Sequence, residues 1–138
     1  MAGETNINRL IASMSPQLHE GEYVFVTLKE AEANKIPRSV PIFEFKETEG
    51  ITLILERQTA DKLGLDYDFV LAWITLKIHS SLEAVGLTAA FSTELGKHGI
   101  SCNVVAAFYH DHIFVAEKDA DRAVQVLEDL SKRHQRIE

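Results

Sequence analysis

Ser80-Ser81-Leu82-Glu83-Ala84-Val85-Gly86-Leu87-Thr88-Ala89-Ala90-Phe91-Ser92 joins the most apolar run of the chain to a helical pattern. Upstream, residues 69–79 alternate. Ala72, Ile74, Leu76 and Ile78 share one face, and Leu71, Trp73, Thr75, Lys77 and His79 the other. This run reads as the central strand, its first face under helices and its second apolar at one end and polar at the other. Downstream, Leu87, Ala90, Phe91 and Leu95 form a helical stripe that Gly99 ends in a left-handed conformation. A polar turn with one glycine at a strand-to-helix junction leaves unpaired backbone N–H groups at a positive dipole end. That combination suits a carboxylate or phosphate. The same serines and glycine are also ordinary turn and capping residues, so plain loop chemistry is the competing reading.

After this junction, residues 100–109 read as a strand that returns through His110-Asp111 into a second strand at 112–116. A last helix starts at Asp119, with a stripe of Ala120, Ala123, Val124, Leu127 and Leu130. Before the junction, Ile7, Leu10, Ile11 and Met14 have helical spacing, with Thr5 or Asn6 as cap and Pro16 blocking continuation. Residues 22–28 are nearly all apolar or β-branched, as in a strand buried on both faces. A long connection through 29–41 has room for a short helix at 30–34. Residues 42–46 and 51–56 form a hairpin about Glu47-Thr48-Glu49-Gly50, with Gly50 available for a positive φ. Thr59 caps a short helix at 60–65 that Gly64 ends.

A faint repeat links Leu53-Ile54-Leu55-Glu56, followed by Thr59-Ala60-Asp61-Lys62, to Phe114-Val115-Ala116-Glu117, followed by Asp119-Ala120-Asp121-Arg122. Each is a hairpin's second strand followed by a capped helix. The expected class is therefore α+β: two ferredoxin-like units, residues 1–66 and 67–138, packed together and sharing or exchanging edge strands. Neither half alone is long enough to bury a comfortable core.

Composition narrows the function. The 138 residues carry 14 Lys+Arg against 21 Asp+Glu, a formal −7. Nucleic acid is not an expected partner, because phosphate binding needs a clustered basic face. Lys132, Arg133 and Arg136 read instead as charges matching a helix C-terminus. No apolar run is long enough for a transmembrane helix, and no membrane partner is expected. The start of the chain lacks a signal pattern. The one cysteine, Cys102, precludes an internal disulfide and fits a reducing, cytoplasmic setting. Among apolar neighbours it reads as an inert thiol.

No catalytic apparatus, cofactor motif or metal centre is expected. Ser80, Ser81 and Ser92 lack the elbow of a hydrolase nucleophile, and no phosphate loop or dinucleotide fingerprint occurs. His110-Asp111-His112, with His79 nearby, leaves three readings open: metal ligands, a ligand-contacting rim, or a plain turn. Trp73 is open between a core or interface aromatic and a stacking platform.

The second half resembles the ACT domain, in the branch that occurs as compact tandem pairs. The resemblance rests on the central strand, Glu83 through Ser92, Leu95, Gly99-Ile100-Ser101, Tyr109, Asp111, His112-Ile113-Phe114-Val115 and the 123–130 helix. The first half is similar to the companion domain of that branch through Gly21-Glu22-Tyr23-Val24-Phe25-Val26, Phe45 and Glu49-Gly50-Ile51-Thr52-Leu53. The resemblance covers nearly the whole chain. It implies a βαββαβ fold, side-by-side sheet association into a homo-oligomer, and a regulatory module that binds a small molecule, often an amino acid. The ligand would sit at the loop between first strand and first helix, here 80–87 with Gly86 as its glycine. In that reading the amides of Val85, Gly86, Leu87 and Thr88 hold a carboxylate. Ser80, Ser81 or Glu83 meets the ammonium, Glu83 first on charge grounds; Asp111 is a ligand contact that its own turn suggests, not one the resemblance carries over.

Overall fold

The alternation of the central strand is realised as written. In the computed structural model, which describes residues 6–78 and 86–135, strand β5 (Leu71–Lys77) buries Ala72, Ile74 and Leu76, with Ile78 just beyond it, in the larger of two cores. The preceding elements are α1 (Ile7–Ser13), β1 (Ser15–Leu18), β2 (Tyr23–Leu28), α2 (Glu30–Ala33), β3 (Phe43–Lys46), β4 (Ile51–Glu56) and α3 (Arg57–Lys62). After β5 come α4 (Leu87–Lys97), β6 (Asn103–Ala106), β7 (Asp111–Ala116), a 3-10 turn at Glu117–Asp119 and α5 (Ala120–Gln135). No helix among the described residues is long and apolar enough to cross a membrane.

The chain divides into two compact units. One takes the described residues up to Glu20 together with those from Ala72 onward; the other is Gly21–Leu71. In the larger unit the strands lie in the order β1-β5-β7-β6. This is the ferredoxin-like order, with its fourth strand supplied from the start of the chain. β1 runs antiparallel to β5, Ser15 opposite Lys77 and Leu18 opposite Ile74. Pro16, which stops α1, sits in this edge strand, where a missing N–H breaks no ladder. Helices α1, α4 and α5 contribute Leu10, Ile11, Leu87, Phe91, Leu95, Leu127 and Leu130 to one core with β5 and β7.

Polar side chains finish this packing. Asn6 caps α1 by accepting from the Arg9 amide at 3.1 Å. At its other end, Ser131 and Gln135 of α5 both donate to the Ala12 carbonyl at 2.9 Å, which satisfies an acceptor the short helix leaves open.

The smaller unit has the antiparallel order β3-β4-β2. Val24, Val26, Ile51, Leu53 and Leu55 pack with Ala33 of α2 and Ala60 of α3. Three expectations are corrected here. β2 is buried on both faces only at its start: Tyr23, Val24 and Val26 are covered, while Phe25 and Thr27 are exposed. Gly50 has no positive φ. It is needed for close approach, since a Cβ there would lie 2.7 Å from Thr27 Oγ1 and 3.1 Å from the Leu28 carbonyl oxygen. Helix α3 begins at Arg57, leaving Thr59 inside it. The Arg57 amide donates to the Glu22 carbonyl at 2.9 Å and its guanidinium reaches Tyr67 Oη at 3.0 Å, so the helix starts directly off β4. Gly64 ends it at φ +68.

Candidate functional site

The start of α4 is built on Gly86. It sits at φ 91, ψ −7, in the left-handed region that L side chains rarely adopt. Space is not the constraint, because a Cβ there would meet nothing within 4 Å. The helix ladder begins with the Ala90 amide donating to the Gly86 carbonyl at 2.9 Å. The amides of Leu87 and Thr88 therefore precede that ladder, at the positive end of an eleven-residue helix. Leu87 anchors this end, buried in the larger core with Ile78 and Ile113. Thr88 is exposed, and its carbonyl accepts from Ser92 Oγ at 2.6 Å. Ser80, Ser81, Glu83 and Val85, and with them His79, lie outside the described residues.

The turn before β7 lies at the end of β5. His110 Nδ1 lies 3.3 Å from the Ile78 amide and 3.4 Å from the Ile78 carbonyl oxygen. The turn thus abuts the end of β5. Asp111 stands opposite Ala106, and alternation puts its side chain on the face of Ile113 and Val115, toward the helices. The carboxyl is half-buried; burial pushes its pKa up, and the His110 charge offsets this in part. Its desolvation gives a cationic partner more to gain there than at a fully wet carboxylate.

His112 faces the other way. Its Nδ1 accepts from the Trp73 indole N–H at 3.1 Å and lies 3.0 Å from Thr75 Oγ1. Thr75 Oγ1 is in turn 2.6 Å from His19 Nε2, and the His19 ring stacks on Trp73 with centroids 3.5 Å apart. An indole only donates, so Nδ1 of His112 is bare. Thr75 Oγ1 lies between that atom and His19 Nε2, within hydrogen-bond distance of both. The structure therefore splits His110-Asp111-His112 between two faces of the sheet. Among the described residues no group of three or more His, Cys, Asp or Glu is placed to hold a metal.

Sequence reasoning missed His19. Its position follows only once residues 15–18 are read as an edge strand, and the one available signal was Pro16 followed by a short polar run. Cys102 is partly buried, and burial pushes its thiol up to about 11.

Comparisons with known proteins agree with this architecture. Residues 2–72 match one model of the ACT domain and residues 69–129 match another. A crystal structure from Vibrio cholerae, described as a protein of unknown function and possible transport protein, is 48% identical with a TM-score of 0.80; the match covers 90% of this chain and 94% of that one. A protein from Agrobacterium tumefaciens is 16% identical with a TM-score of 0.70, over 86% of this chain and 89% of that one. The regulatory subunit of aspartate kinase from Thermus thermophilus is 7% identical with a TM-score of 0.59, over 83% and 95% respectively. These last two likenesses show the fold alone. No curated protein matches the chain. With a strand, a glycine-capped helix and a hairpin leading to a last helix, and with both halves matched in turn, the chain belongs to the ACT-domain family as two such domains in tandem.

Proposed function

We propose that the chain is a regulatory module that binds a small amino-acid-like molecule at the entrance of α4 and carries out no bond-making chemistry. The observation that supports this most is Gly86. It starts α4 in the left-handed region, makes no side-chain cap hydrogen bond, and an added Cβ there would meet nothing within 4 Å among the described residues. A carboxylate on the amides of Gly86, Leu87 and Thr88 would be held by charge-assisted hydrogen bonds. In this reading Asp111, a half-buried carboxylate, or Ser80, Ser81 or Glu83 of the loop meets the ammonium. The ACT family, and a neighbour described as a regulatory subunit, agree with a regulatory role.

Thermal melting in a panel of amino acids tests the reading. Binding to the native state alone raises stability, by about 2.7 kcal/mol at about a hundredfold the Kd. One or a few amino acids should raise the midpoint at millimolar concentration. A flat panel would count against the assignment.

The reading includes a cytoplasmic location and a homo-oligomer. Among the described residues β6 pairs only with β7, so its outer edge can recruit a strand from a second copy. Light scattering should give a mass above 15.5 kDa; a strict monomer would remove this part.

A further inference from the structure

We propose that the smaller unit holds a second binding site, for a small carboxylate with an apolar body, in the cleft between the connection after α2 and the outer strand β3. The cleft has a volume of about 780 Å³, within the range of small-molecule sites. Its origin lies in the β3 sequence. Glu44 stands opposite Leu53 and Lys46 opposite Ile51. Directly opposed residues share a face, so the β3 positions that should close the smaller core carry charges. Leu53 and Ala33 of that core lie buried beneath the cleft, and the accessible apolar lining is a wall of Ile36 and the exposed Ile42.

The rim selects charge. Arg38 and Lys46 line the cleft, and among the described residues neither makes an ion pair. Against them stands one carboxylate, Glu44. Two cations and one anion beside the Ile36 and Ile42 wall suit a molecule with one carboxylate and a small aliphatic body. Glu44 either lies idle beside a simple carboxylate or meets the ammonium of an α-amino acid. This site shares no residue with the entrance of α4 and stands whether or not that reading holds.

The test is titration of the full chain, with labelled Leu53 methyls observed by NMR, using 4-methylpentanoate, leucine and acetate separately. Saturable shifts of Leu53 with 4-methylpentanoate or leucine, and none with acetate, are expected. Arg38→Ala and Lys46→Ala should each weaken binding roughly tenfold, as loss of a charge-assisted contact does. Glu44→Gln separates the sources: it should abolish a preference for leucine over 4-methylpentanoate if an amino acid is the ligand, and improve binding of 4-methylpentanoate if it is not. Gly86→Val should leave these shifts in place. Shifts that stay linear with concentration, or that survive Arg38→Ala/Lys46→Ala unchanged, would overturn the proposal.

Discussion

The indole nitrogen of Trp73 lies 3.1 Å from His112 Nδ1 and can only donate to it. This contact fixes the tautomer of neutral His112, which carries its hydrogen on Nε2; Thr75 Oγ1 lies within hydrogen-bond distance of His112 Nδ1 and His19 Nε2. Long-range nitrogen–proton NMR at neutral pH should show His112 as the neutral Nε2–H tautomer. An Nδ1–H pattern would contradict the arrangement.

The same network sets a pH dependence. Burial lowers both pKa values below the ordinary 6.5, with Lys77 adding to the effect on His19, and His110 and then His19 adding to that on His112. The native state therefore takes up protons at lower pH than the unfolded chain. Stability from these groups is full above about pH 6.5. It falls as pH drops from there to the lowered native values, because the unfolded state protonates first. The melting midpoint should decline over that window, and His112→Gln should flatten the decline. An unchanged slope would remove His112 as a source.

Legibility differed along the chain for physical reasons. The 51–56 strand, the larger core stripe and the ends at Gly64 and Gly99 follow from periodicity and from the φ that glycine permits, both local properties. β1 did not, because a four-residue edge strand containing proline has no period of its own and exists only through pairing with β5. Residues 100–109 read as one strand, yet only Asn103–Ala106 pairs; Phe108 and Tyr109 are apolar but sit exposed in the turn. At the candidate site Gly86 was legible as a helix entrance, whereas the opposite facing of Asp111 and His112 needed the register of β7.

Two glycines predict opposite outcomes. At Gly50 an added Cβ meets Thr27 Oγ1 at 2.7 Å and backbone at 3.1 Å. Gly50→Ala should cost about 1–3 kcal/mol in urea unfolding, and adding Thr27→Ala should recover part of it. Gly96, inside α4, has open space and no positive φ. Gly96→Ala should stabilise by about 0.5–1 kcal/mol.

Glu94 is buried on α4 and accepts from Arg133 of α5 at 2.7 Å. The Arg133 hydrogen bond leads in drawing its pKa down, burial opposing. Arg133→Ala leaves that carboxylate without its nearest cation. The expected loss is about 1–2 kcal/mol, reduced by the solvent exposure of Arg133. Urea midpoints for Arg133→Ala and Arg133→Lys would check it, and the lysine variant should lie between the two.

Amide shifts at the entrance of α4 test the central assignment most directly. An amino acid that raises the melting midpoint is titrated into labelled protein in parallel with its carboxamide. The amides of Gly86, Leu87 and Thr88 should move and saturate with the free carboxylate, move little with the carboxamide, and stay fixed in Gly86→Val. Shifts that saturate elsewhere while these three amides remain still would contradict binding at this end of the helix.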